Sequence, residues 1–171
     1  MRRTFAREVL DDSIQARLPD RGPVSRLLET LIEQHDKVSR LLLRAEAAAR
    51  PEERRDLWSD IRRELISHKV SESEVVCSAL KQRPRGEGIA LTHELDANDL
   101  ENLVQEIDRT SPTDQRWSAL VRKFAFRVRD HAEKEESVII PLAKELLTAS
   151  ELEKMELDYL TAKARVASAL V

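Results

Sequence analysis

Four histidines, His35, His68, His93 and His131, are all the chain contains. Two of them are followed four residues later by a glutamate, His68 by Glu72 and His131 by Glu135. Four residues is just over one helical turn, so each pair would present an imidazole and a carboxylate on one face. All four histidines fall within apolar stripes that step by threes and fours. The stripes are Val24, Leu28, Leu31, His35, Val38, Leu42, Ala45, then Trp58, Ile61, Leu65, His68, Glu72, Val75, Ala79. Two more follow: Ile89, His93, Asp96, Leu100, Leu103, Ile107, and Trp117, Leu120, Phe124, Val128, His131, Glu135, Val138, Leu142. Such stripes are the faces a bundle turns inward. An ionised carboxylate there is costly unless a cation or a hydrogen-bonded partner meets it. Two glutamates among four imidazoles point to bound metal.

Four imidazoles and two carboxylates are too many donors for one tetrahedral zinc. They suit two ions bridged by the glutamates, with coordination positions left open. Nitrogen and oxygen donors without thiolate admit iron, manganese or zinc. Asp96, one turn from His93, reads as a hydrogen-bond acceptor that orients an imidazole, with ligation as its alternative. Glu94 and Glu136 point roughly 100–140° off the seam and are set aside. Arg127 reads as a rim charge, Cys77 as a small buried residue turned off the seam, and Tyr159 as packing for the last helix. Trp58, Trp117, Phe124 and Phe126 read as core or edge packing.

The elements that must carry these residues are marked by proline and glycine. Residues 1–23 form an N-terminal extension, with a short helix around Phe5, Val9, Leu10 and Ile14. A first helix runs to Arg50, and Pro51 suits the first position of a second that continues to about Gln82. Pro84-Arg85-Gly86-Glu87-Gly88 is a loop. A third helix spans roughly Ile89 to Arg109, and Ser111-Pro112 opens a fourth that Pro141 should kink or break. Ser150-Glu151-Leu152-Glu153 has capping-box form and starts a last helix with Leu152, Met155, Tyr159, Val166 and Leu170 roughly on one side. Residues 24–148 thus read as an all-α, antiparallel, up-down four-helix bundle, and 149–171 as an additional helix packing on it or on a partner. Depth agrees: His35 is 15 residues before Arg50 and His68 is 17 after Pro51, while His93 is 17 before Thr110 and His131 is 19 after Pro112. At about 1.5 Å per residue, each pair differs in height by only about 3 Å.

Composition supports this. Ala, Leu, Glu and Arg dominate the 171 residues, with three glycines. The net charge of −3, mixed along the chain, offers no basic face for nucleic acid. No segment has membrane-spanning length, the N-terminus is charged where a signal peptide is apolar, and Cys77 is the one cysteine. The expectation is a cytoplasmic protein that binds neither membrane nor nucleic acid.

The segments Glu33-Gln34-His35-Asp36-Lys37-Val38, His68-Lys69-Val70-Ser71-Glu72, Thr92-His93-Glu94 and His131-Ala132-Glu133-Lys134-Glu135-Glu136 resemble the hemerythrin-like, His-His-Glu cation-binding domains, over about Leu27 to Leu147. The resemblance implies two iron ions, oxo- or hydroxo-bridged, held by His35, His68, Glu72, His93, His131 and Glu135, with zinc or manganese as substitutes. It implies binding of, or reaction with, oxygen, peroxide or nitric oxide. The alternatives are iron storage or delivery, repair of iron–sulfur centres, and a metal-dependent redox sensor. The last helix would then serve a homodimer or a client protein. The oxygen-carrying members have a second histidine four residues after that of the third helix, where this chain has Ala97. That difference leaves coordination more open than simple oxygen carriage requires.

Overall fold

The structure, a computed structural model, describes residues 24–170. The expected N-terminal extension with its helix, the side chains of Val24 and Leu28, and Val171 lie outside the described residues. The elements are α1 (Val24–Ala47), α2 (Pro51–Glu72), a π turn π1 (Ser73–Cys77) and α3 (Ser78–Lys81). They continue with α4 (Glu87–Asp108), α5 (Arg116–Lys134), a second π turn π2 (Glu135–Ile139), α6 (Ile140–Leu146) and α7 (Ala149–Ala169). Because α2, π1 and α3 follow without a break, as do α5, π2 and α6, each set forms one rod. With α1 and α4 these rods make the four-helix, all-α bundle, and α7 lies along α2 and α1. Among the described residues, no helix is long and apolar enough to cross a membrane.

Local chemistry explains most boundaries. Pro51 opens α2, where its missing N–H costs nothing, and Glu52 and Glu53 face the positive end of the helix dipole. Two starts differ from expectation. The stretch after Ser111 is a turn, in which Ser111 Oγ bonds Thr113 Oγ1 at 2.8 Å and Asp114 Oδ1, one residue ahead of the N-cap Gln115, accepts from the Arg116 N–H at 2.8 Å. The capping box of α7 belongs to Thr148 and Glu151: the Glu151 N–H donates to Thr148 Oγ1, and the Thr148 N–H donates to Glu151 Oε2.

The π turns change the seam. In π1 the Ser78 N–H reaches back five residues to Ser73 O, and in π2 the Ile140 N–H reaches Glu135 O. Each widened turn accommodates an extra residue and rotates everything after it. Val76, Cys77 and Leu80 are therefore buried where the regular period selects Val75 and Ala79, and Ile139 replaces Val138, which is 44% exposed. Cys77 is buried as expected, and the widened turn sets it on the core face instead of off the seam. Pro141 does not end its helix, because the register break falls in π2 just before it and α6 runs on to Leu146. Phe126, expected as packing, is exposed beneath the Arg129 guanidinium.

The core has two apolar parts. One gathers Val38, Leu42, Ile61, Ile107, Trp117 and Phe124; the other gathers Leu31, Val76, Leu80, Ile139, Met155 and Tyr159. The polar layer lies between them along each helix.

Candidate metal centre

His35 projects from the middle of α1, His68 and Glu72 from the end of α2, His93 from α4, and His131 and Glu135 from the junction of α5 and π2. These six residues converge. Glu72, His93, His131 and Glu135 form one group with ligand atoms within 4.8 Å of one another, and His35, His68 and Glu135 form a second. Glu135 belongs to both. The histidines matched in depth are neighbours: ring centroids are 5.1 Å apart for His35 and His68, and 4.3 Å for His93 and His131, whose planes differ by 15°.

Within the layer, Glu135 Oε2 lies 3.3 Å from Nε2 of both His35 and His68. Glu72 Oε1 meets His93 Nε2, and its Oε2 lies 3.8 Å from His68 Nε2. Both carboxylates are buried, Glu135 completely. Three buried polar atoms here have no hydrogen-bond partner: His35 Nε2, His131 Nδ1 and Glu135 Oε1. Buried unpaired groups of this kind are expensive and rare. A cation among imidazole and carboxylate donors would satisfy atoms that protein groups leave unmet, so the residues present fit a metal centre.

Charge in the layer is balanced tightly. Burial and the Glu135 charge push the Glu72 carboxyl up from its ordinary value. Burial also opposes ionisation of Glu135, but His68 and His35 outweigh it and hold that carboxyl down. For His35, burial disfavours the charged ring, yet Glu135 and Glu136 prevail and raise it to about 9. Burial and the neighbouring His93 charge lower His131 to about 4. Without a cation, the proton on His35 takes its place beside Glu135.

The surroundings orient the rings. Glu136 Oε1 accepts from His35 Nδ1 at 2.6 Å, which leaves Nε2 facing Glu135. Tyr159, fully buried on α7, brings its hydroxyl within 2.9 Å of His68 Nδ1. Sequence periodicity missed both contacts. Glu136 lies off the seam, but its side chain reaches His35 on the neighbouring α1, while Tyr159 lies on the stripe of the last helix, where an aromatic residue reads first as packing. Asp96 is corrected the other way: its carboxylate turns to Lys134 Nζ at 3.0 Å and hydrogen-bonds no imidazole. Glu94 stays off the layer, bonded to Ser73 and Lys81.

Two cavities reach the centre past Ala97. One of about 230 Å³ touches Glu72, His93 and Cys77 between α2 and α4. The other, about 390 Å³, has mainly apolar walls, including Leu65, Leu100, Val104 and Phe124, and ends at His68 and His131.

A family model described as the hemerythrin HHE cation binding domain matches residues 26–143, which include all six residues. A DNA nickase of Nostoc sp. (strain PCC 7120 / SAG 25.82 / UTEX 2576) is 25% identical over 134 residues, 77% of this chain. That match spans 37% of the nickase, so the chain covers little more than a third of the relative's length. No solved structure matches.

Proposed function

The chain belongs to the hemerythrin HHE cation-binding domain family, and from that premise we propose that its His/Glu layer holds two iron ions and binds or reacts with oxygen, peroxide or nitric oxide. The observation that carries the proposal is the membership of Glu135 in both ligand groups, with Oε1 buried and unpartnered. One ion would take His35, His68 and Glu135, the other Glu72, His93, His131 and Glu135. Iron, when bound, supplies redox chemistry that none of these side chains offers alone.

The protein's own contribution is orientation and access. Glu136 holds the proton of His35 at Nδ1, so that Nε2 is free to ligate. The apolar walls of the larger cavity favour entry of a small uncharged molecule over a hydrated ion. With Ala97 on that path, the centre has room for such a molecule beside His68 and His131.

The nickase name describes that relative. A net charge of −3 with interspersed lysines and arginines argues against a phosphate-binding role for this chain.

The test is metal analysis of chain expressed with iron, with optical spectra before and after oxygen, peroxide and nitric oxide. Two irons per chain and a spectrum that responds to one of these ligands support the reading. Bound iron that ignores all three, but passes to a chelator or an apo-acceptor, would favour storage or delivery instead.

A further inference from the structure

The family match ends at residue 143, before α7 begins, yet α7 sends one side chain into the centre. Tyr159 is fully buried, and its hydroxyl has two partners, His68 Nδ1 at 2.9 Å and Gln34 Oε1 at 2.8 Å. The proton positions follow from Lys163. Its ammonium donates to Gln34 Oε1 at 2.8 Å and can accept nothing, so the amide must turn its oxygen toward α7. An amide oxygen accepts only, and Tyr159 therefore donates its single hydrogen to Gln34. The phenol oxygen is then left as an acceptor facing His68 Nδ1. That nitrogen also lies 3.2 Å from Gln34 Oε1, a second acceptor. A bare Nδ1 would face two oxygens with nothing to share, so Nδ1 carries the hydrogen. Nε2 then faces Glu135 Oε2, 3.3 Å away, and any hydrogen it shares with that carboxylate is the one a metal ion would displace.

We propose that Tyr159 is a positioning residue of the metal centre: its hydroxyl, fixed by Gln34 and Lys163, holds His68 in the tautomer that offers Nε2 to the ion shared with His35 and Glu135. The proposal rests on the reading of the layer as a metal centre. It makes α7 a working part of that centre, joined to it by a hydrogen-bonded chain rather than by packing alone. His35 has the matching device in Glu136, supplied from within the bundle. On this side of the layer both imidazoles are oriented by groups behind them.

The experiment uses the full chain, with zinc as a diamagnetic probe and competition against a chelator to resolve each equivalent. Tyr159→Phe keeps the ring and removes the hydroxyl. The expected result is one zinc equivalent weakened about 10- to 100-fold, the other little changed. Nitrogen NMR of the zinc-loaded chain should show His68 bound through Nε2 with Nδ1 protonated in the wild type, and mixed between its two tautomers in Tyr159→Phe. Met155→Ala, on the same face of α7, serves as the packing control: it should lower thermal stability and leave both zinc affinities and the tautomer alone. Gln34→Leu removes the acceptor that fixes the phenol and should act in the same direction as Tyr159→Phe. It carries the test if the phenylalanine variant does not fold. Wild-type affinities with an unchanged His68 tautomer in the variants would overturn the proposal while leaving the metal centre intact. A wild-type chain that takes up no zinc and no iron would overturn the centre itself, and the proposal with it.

Discussion

Glu135 presents Oε2 to Nε2 of His68 at 3.3 Å and leaves Oε1 buried without a partner. Only this glutamate belongs to both candidate ligand groups, whereas Glu72 belongs to one. The two should therefore fail differently. Glu135→Gln is expected to lose both metal equivalents, and Glu72→Gln to retain about one, since an amide is a poor substitute for an anionic ligand. Elemental analysis of the purified variants checks this. Equal losses from the two substitutions would contradict the unequal sharing seen in the geometry.

The same pair makes an opposite prediction for the metal-free chain. Two carboxylates share a buried layer, and burial together with the Glu135 charge already pushes Glu72 toward its neutral form. Replacing Glu72 by glutamine removes a like charge at nearly constant volume. The chelated variant should melt higher than chelated wild type, by about 2–4 °C for each kcal/mol gained in a chain of this size. Stability lost to preserve a binding site is a common exchange. A lower melting temperature in the chelated variant would show that Glu72 supports the empty layer.

The six residues of the layer were legible because a helical period of 3.6 puts them on inward stripes and counting from the prolines sets their depth. The period carries no mark of a π turn. After Glu72 and Glu135 the buried positions therefore slip by one, from Val75 to Val76 and from Val138 to Ile139. Glu136 meets His35 from an off-seam position, a contact between helices that the period of one helix cannot show. Asp96 fails for a different reason: a seam position fixes where the backbone lies, but the nearby ammonium of Lys134 decides where a short carboxylate turns. Tyr159 was visible as part of an apolar stripe, but its partner was not, since the contact with His68 spans 91 residues of sequence.

By the resemblance to the oxygen-carrying hemerythrins, Ala97 stands where a further histidine would, and the cavity at Glu72 and His93 and the cavity at His68 and His131 both touch it. Ala97→His should find space there and add an imidazole on the side of His93 and His131. The metal held by those residues should dissociate more slowly into a chelator, and the optical spectrum of the iron-loaded chain should shift. An uncoordinated imidazole in the same place would instead cost stability through its unmet polar atoms. A drop in melting temperature with unchanged metal release would thus rule out coordination by residue 97.

Glu64 gives a pH-dependent prediction away from the ligands. Burial disfavours its charge, but hydrogen bonding to Lys37 and the charge of Lys163 prevail and hold its carboxyl below the ordinary range. A carboxyl depressed in the folded state stabilises the fold above its unfolded pKa, and the gain is lost as pH falls through the folded value. Glu64→Gln should therefore cost about 0.5 kcal/mol at pH 7, since the Lys37 end of its ion pair is solvent-exposed. The difference from wild type should begin to shrink below about pH 4 and vanish only below the folded pKa. Urea midpoints of the chelated proteins at both pH values measure it, and a difference that persists in acid would assign the effect to packing instead of charge.

Gly86 and Gly88 separate two meanings of glycine in one loop. A Cβ on Gly86 would meet the backbone oxygen of Leu80, well inside any tolerable contact, whereas one on Gly88 meets nothing within 4 Å. Gly86 is buried in an otherwise exposed turn, where its N–H donates to Arg83 O at 2.8 Å, and that turn joins the rod carrying Glu72 to α4 carrying His93. Gly86→Ala must push the two helices apart and is expected to cost roughly 1–3 kcal/mol. The displacement falls between Glu72 and His93, which are in direct contact, so metal affinity should drop together with stability. Gly88→Ala lies in the first turn of α4 and should be neutral or stabilising by up to roughly 1 kcal/mol, with metal affinity intact. Thermal melts and metal competition on the two variants test the connection. If Gly86→Ala lost stability but bound metal like wild type, the turn would not set the separation of Glu72 and His93.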